Sequence, residues 1–186
     1  NLFNFYELRS LKERVMKKIV VCMLVCIMFL CGCAGNIKDG VALLEQEKYE
    51  EAKEVFAKDI EKKKNLDEAY HGMGIACFEL GDYEGARQNM EAAMKHEVQE
   101  NAVFCSILGA CYLETEEYDK AIDSYEKALD QNDLTSELEQ EIQYNLIAVY
   151  ERMGNWEGAK KQMDKYVKAY PNDQRVDKEA DFLETR

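Results

Sequence analysis

From about residue 38 to residue 170 the chain alternates short apolar-striped blocks with charged ones, and the stripes repeat. Four segments align without gaps: EKYEEAKEVFAKDI (47–60), GDYEGARQNMEAAM (81–94), EEYDKAIDSYEKAL (116–129) and GNWEGAKKQMDKYV (154–167). Each carries an aromatic, Tyr49, Tyr83, Tyr118 or Trp156, followed three residues later by Ala52, Ala86, Ala121 or Ala159. Four residues further on comes a large apolar side chain: Phe56, Met90, Tyr125 or Met163. Spacing of i, i+3, i+7 places all three on one face of an α-helix, whose turn is 3.6 residues. A second set of matching blocks lies upstream of these: YHGMGIACFELG (70–81), CSILGACYLETE (105–116) and, more loosely, QYNLIAVYERMG (143–154). The first copy, around 38–47, keeps Gly40 and Leu43. The unit is therefore helix A, a tight turn and helix B. The turn aromatics are 34, 35 and 38 residues apart, a period that marks stacked supersecondary units.

Turn chemistry supports the division. Gly81-Asp82 and Gly154-Asn155 supply a left-handed helix stop followed by an N-cap. Asn65 to Glu68 and Ser136 to Glu139 read as capping boxes that open two of the A helices. Small residues stand in columns, Gly74 and Gly109 in helix A and the four alanines in helix B, where a larger side chain would hold neighbouring helices apart.

These motifs resemble the tetratricopeptide repeat. The family's aromatic-x-x-Leu-Gly-x-x-Tyr signature is present as Tyr70-x-x-Met73-Gly74-x-x-Cys77 and again as Cys105-x-x-Leu108-Gly109-x-x-Tyr112, and its closing proline as Pro171. The resemblance covers about 36–173. It implies an all-α fold, an α-solenoid of about four antiparallel helix pairs at 36–66, 67–101, 102–135 and 136–173. Val176, Ala180 and Leu183, at helical spacing, predict a C-terminal capping helix over 174–186 that covers the open face of the last pair. The longer spacing before the fourth unit, around 132–139, leaves two options: a lengthened helix or a binding loop.

Composition narrows the function. The chain has 186 residues, 47% hydrophobic and 33% charged, with one proline and ten glycines. Mean hydropathy is -0.49. A net charge of -13 would repel phosphates, so nucleic acid is not an expected partner. The charge is uneven. Residues 1–32 carry five cations against two carboxylates, a net of +3, which leaves -16 for the remainder.

That basic head contains Met16-Lys17-Lys18 followed by thirteen uncharged residues, 19–31. Thirteen helical residues reach only ~20 Å, short of a ~30 Å hydrocarbon core. A short basic region, a short apolar region and then small residues are the pattern of a secretory signal. Leu30-Cys31-Gly32-Cys33 resembles the lipobox of bacterial lipoproteins. The resemblance implies a signal peptide at 16–32, cleavage after Gly32, and lipid on Cys33, with 33–35 as a short tether. The expected location is the cell envelope, on the extracytoplasmic side of a membrane. Residues 1–15 fit no signal. Lys12-Glu13-Arg14 can be encoded as AAG-GAG-AGG, like a ribosome-binding site, so the hypothesis is that 1–15 is upstream sequence that is not translated. A peptide from 5–15 in the precursor would refute it.

Candidate chemistry is sparse. His71 and His96 lack ligand spacing, and no phosphate loop, HExxH or nucleophile elbow is present. No catalytic residue, metal or cofactor is expected. Cys22, Cys26 and Cys31 leave with the signal, while Cys77, Cys105 and Cys111 read as buried thiols, with a Cys77–Cys111 bridge as the alternative. In the resembled fold the A helices line a concave groove that binds a peptide or partner helix. That implies a groove of Val41, Leu44 and Glu45 in the first unit, His71, Ile75, Phe78 and Glu79 in the second, Ser106, Ala110, Leu113 and Glu114 in the third, and Tyr144, Ala148 and Arg152 in the fourth. Its expected character is an apolar floor with an acidic ladder, Glu45, Glu79 and Glu114. The matching ligand is a protein or peptide with apolar anchors and basic flanks. The chain then reads as a lipid-anchored scaffold, with an assembly or secretion factor for an envelope complex as the alternative and a small-ligand receptor behind both.

Overall fold

The computed structural model describes residues 36–173 and, beyond them, Val176, Ala180 and Leu183. Signal, lipobox and upstream arm lie outside the described residues. Among the described residues, eight helices with defined bounds follow one another: α1 (Ile37–Glu45), α2 (Tyr49–Glu61), α3 (Leu66–Glu79), α4 (Tyr83–Lys95), α5 (Ala102–Glu114), α6 (Tyr118–Leu129), α7 (Ser136–Arg152) and α8 (Trp156–Ala169). The described residues contain no strand. Each odd helix packs on the even helix after it, each even helix on the next odd one, and the odd helices α1, α3, α5 and α7 touch one another in series. No pair of even helices packs comparably. The solenoid therefore curves with its A helices inside.

One turn device closes all four A helices. Glu47, Gly81, Glu116 and Gly154 occupy the same column, all left-handed, with φ of 59°, 76°, 63° and 71°. After each, a backbone N–H reaches back five residues: Lys48 to the Leu43 carbonyl, Asp82 to Cys77, Glu117 to Tyr112 and Asn155 to Tyr150, all at 2.8–2.9 Å. This is the Schellman closure, which satisfies carbonyls left open at the helix end. Asp82 and Asn155 then cap the following helix, their side chains accepting from Gly85 and Gly158 N–H.

The two expected capping boxes are not formed. Asn65 is itself left-handed (φ 43°) and its side chain makes no cap bond. A capping residue needs extended backbone to aim its side chain at the first turn. In the fourth unit the cap is one residue earlier: Thr135 accepts from Leu138 N–H at 3.2 Å, and Ser136 is already helical. The longer connection resolves as helix. α7 has 17 residues against 14 in α3 and 13 in α5, and its added first turn lays Leu138 on the core.

Between pairs, the core is built of a bulky B-helix side chain seated on glycines. Phe56 is fully buried. A Cβ placed on Gly40 would meet its ring at 2.4 Å, and one on Gly72 at 2.3 Å. One ring thus holds α1 and α3 together from α2. Tyr125 fills the same column two pairs later, against Gly109. Val176 and Leu183 are buried against Ile147, Ala159, Met163 and Tyr166. The rest of the predicted capping segment lies outside the described residues.

Arg87 ties the second pair to the third. On α4 it bonds Glu84 and Glu91, and it reaches Glu117 at 3.3 Å, just before α6. Glu91 also accepts from the Tyr112 hydroxyl at 3.0 Å. These partners hold the guanidinium protonated more firmly than usual, while hydrogen bonds from Arg87 and Lys120 respectively lower Glu84 and Glu117.

Candidate functional site, the concave face

The expected groove residues all lie on the A helices, but not all of them are exposed. Val41 is 42% exposed. Leu44, Ile75, Phe78, Ala110, Tyr144 and Ala148 are half-buried, and Glu45, Glu79, Glu114 and Arg152 are exposed. Ser106 and Leu113 are buried, so they support the floor from beneath. The apolar surface is thickest at Val41, Leu44, Ile75 and Phe78. Phe78 is fixed edge-on to Tyr83, with ring centroids 5.7 Å apart.

The acidic ladder is not uniform. Glu114 is paired with Arg152 at 3.0 Å, and the same guanidinium donates to the Leu113 carbonyl at 3.3 Å. Both residues follow their helix's apolar face by one position, in the same column of successive A helices, so column-by-column reading of charges would have found the pair. Glu79 has a different neighbour: burial, and then the Glu79 carboxylate, push the Tyr49 phenol above its ordinary pKa. The open negative potential therefore concentrates on the first two pairs.

His71 stands half-buried in the groove wall, edge-on to Phe104 at 5.1 Å. Its Nε2 is buried without a hydrogen-bond partner, and burial lowers its pKa, as expected when a charged form loses water. His96 stacks on Tyr70 at 5.4 Å, away from His71's contact. Among the described residues no group of three or more His, Cys, Asp or Glu side chains is placed to hold a metal. Cys77, Cys105 and Cys111 are buried and unbridged. Cys77 and Cys111 share one small cluster with Ala86. Burial raises all three thiols, Cys105 to about 11 and Cys111 to about 12.

Sequence models described as tetratricopeptide repeat match residues 67–95, 102–133 and 141–173, the second, third and fourth helix pairs. The chain belongs to the tetratricopeptide repeat family. No curated protein matches the sequence. Among solved structures, MamA of AMB-1 superposes with a TM-score of 0.64 at 16% identity, over 78% of this chain and 77% of that one. The pilF protein of Pseudomonas aeruginosa gives 0.58 at 14%, over 82% and 67%. The hetero-tetramer of Cut9 and Hcn1 gives 0.59 at 18%, over 77% of this chain and 28% of that one. At such identities the likeness carries the solenoid fold and nothing finer. As tetratricopeptide proteins bind protein partners, the concave face is the place to look for binding here.

Proposed function

We propose that this tetratricopeptide solenoid is a membrane-anchored, extracytoplasmic scaffold that holds a protein or peptide on its concave face. The supporting observation is the pairing of half-buried apolar side chains, Leu44, Ile75 and Phe78, with the exposed carboxylates Glu45 and Glu79. Such a surface suits a segment with apolar anchors and basic flanks. Burial of the anchors supplies affinity, about 25 cal/mol per Å² of apolar area, and the carboxylates supply orientation and a faster encounter. The lipobox at 30–33 supports attachment through Cys33.

Proximity labelling from the protein in its native membrane, followed by binding measurements on the recovered partner, tests the reading. Glu79→Lys should weaken binding several-fold, and more at low salt. Glu114→Lys should weaken it less, because Arg152 already neutralises Glu114. Equal affinity for Glu79→Lys and the unmodified protein would remove the groove from consideration. Attachment is checked separately, by the intact mass of membrane-extracted protein, which should show acyl chains lost on Cys33→Ser.

A further inference from the structure

The solenoid has two ends, and one of them is charged unevenly. Helix axes settle which residues share an end. α1 and α2 are antiparallel, joined by a turn of three residues, 46–48. Phe56 lies level with Gly40 and with Gly72. Asn36 is four residues before Gly40, or ~6 Å along the axis, and Glu61 is five residues after Phe56, or ~7.5 Å. The point where the described chain begins, the α2–α3 connection and Asn65 therefore sit at nearly the same height, on the same end.

That connection is Lys62-Lys63-Lys64-Asn65, every residue exposed. It is a fixed shape: Lys63 and Asn65 are left-handed at φ 53° and 43°, and the Lys64 N–H closes on the Asp59 carbonyl at 2.9 Å. Over 58–64, four lysines face two acids, Asp59 and Glu61, and the Asp59 side chain is buried. The equivalent connections further along the same end lose this character. Residues 95–101 carry Lys95 against Glu97 and Glu100, residues 130–135 carry Asp130 and Asp133 without a cation, and 168–173 carry Lys168 against Asp173. In a chain of net charge -13, the basic connection among those described at this end lies beside Asn36, from which the chain leads back to Cys33.

We propose that this lysine corner rests on the anionic phospholipid surface of the membrane that holds the lipid. The inference builds on the anchor proposed above. Three residues from Cys33 to Asn36 span at most ~10 Å, close to the ~8 Å Debye length at physiological salt. Lysine side chains reaching back from the corner enter the layer where anionic headgroups attract them, while the acidic third connection is repelled. The solenoid then stands on its first helix pair, with the open end of the groove turned to solvent. One acyl chain alone gives only marginal membrane binding, so a basic patch beside it has a measurable effect.

The test supplies the anchor chemically. A chain starting at Asn36, which contains every described helix, receives one added N-terminal cysteine coupled to a single acyl chain; the three native thiols are buried. Partitioning is measured onto phosphatidylcholine vesicles with and without phosphatidylglycerol. A lysine at an anionic surface is worth about fivefold, and with screening the three together should give roughly a 10-fold preference for the anionic vesicles. Lys62→Gln, Lys63→Gln and Lys64→Gln combined should abolish the preference, and Lys120→Gln with Lys127→Gln should leave it. No preference for anionic vesicles, or one that survives the triple substitution, overturns the proposal, and the corner then serves an acidic protein or solubility alone. Failure of the anchor itself is read independently, from the absence of lipid on Cys33 in native protein.

Discussion

The contact of Phe56 with two glycines makes a sharp prediction about sign. Gly72→Ala in isolation should gain ~0.5–1 kcal/mol, because alanine is the better helix former. Here the new Cβ would lie 2.3 Å from Phe56 Cζ and 2.6 Å from both Cε atoms. The ring is fully buried and is also seated against Gly40, so it has little room to move, and overpacking of this kind costs ~1–3 kcal/mol. Gly72→Ala should therefore destabilise the protein, by about 1 kcal/mol net. Phe56→Leu removes the ring atoms that clash, at a cost of ~1–2 kcal/mol in lost burial and cavity. In that background Gly72→Ala should reverse sign and stabilise by a few tenths to ~1 kcal/mol, since its methyl fills the vacated space. The coupling energy from the four proteins should fall within ~1–3 kcal/mol. Urea unfolding followed by far-UV circular dichroism, with Trp156 fluorescence reporting the far end of the solenoid, measures it. If Gly72→Ala has the same effect in both backgrounds, Phe56 is not the wedge between the first two pairs, and the account of how they are joined is wrong.

Three other outcomes follow from the same geometry. Glu116→Gly should stabilise by ~0.5–1 kcal/mol, because the left-handed conformation at φ 63° is strained for any residue with a Cβ; thermal melts would show it, and destabilisation would contradict the Schellman assignment. Glu84 and Glu117 have lowered folded pKa values, so their contribution is present above their ordinary value of 4.5 and is lost as the pH falls through the lowered one; unfolding midpoints should drop in acid, and less steeply for Arg87→Gln. The thiols have raised values, so the sign reverses: stability is intact below about 9 and declines as the pH rises toward the folded values of about 11 for Cys105 and about 12 for Cys111, and a thiol reagent at pH 8 should label none of the three until urea unfolds the chain.

Much of the architecture was legible in the sequence because a repeat states its own grammar several times. A column containing Phe56, Met90, Tyr125 and Met163 identifies a buried helix face better than one helix could. Gly81 and Gly154 disclosed two turns for the same reason. The equivalent turns at Glu47 and Glu116 were hidden, since glutamate carries no signal for positive φ; only their place in the column reveals them. The capping motifs misled at Asn65 and Ser136 because a cap depends on the backbone angle of one residue, and residue type alone does not set it.

Sequence by itself determined the all-helical class, the pairing of helices, their register and the order of the units, because each rests on local periodicity and short turns. The tertiary structure decided what the groove presents. Packing of α5 against α7 joins Glu114 to Arg152 across 38 residues and removes one rung of the acidic ladder, and the packing around α5 buries Ser106 and Leu113. It also decided that the lysine connection and Asn36, where the described residues begin, share one end. Charge balance between successive repeats, and the height of a loop above a membrane, are properties of distance in space, which no spacing along the chain contains.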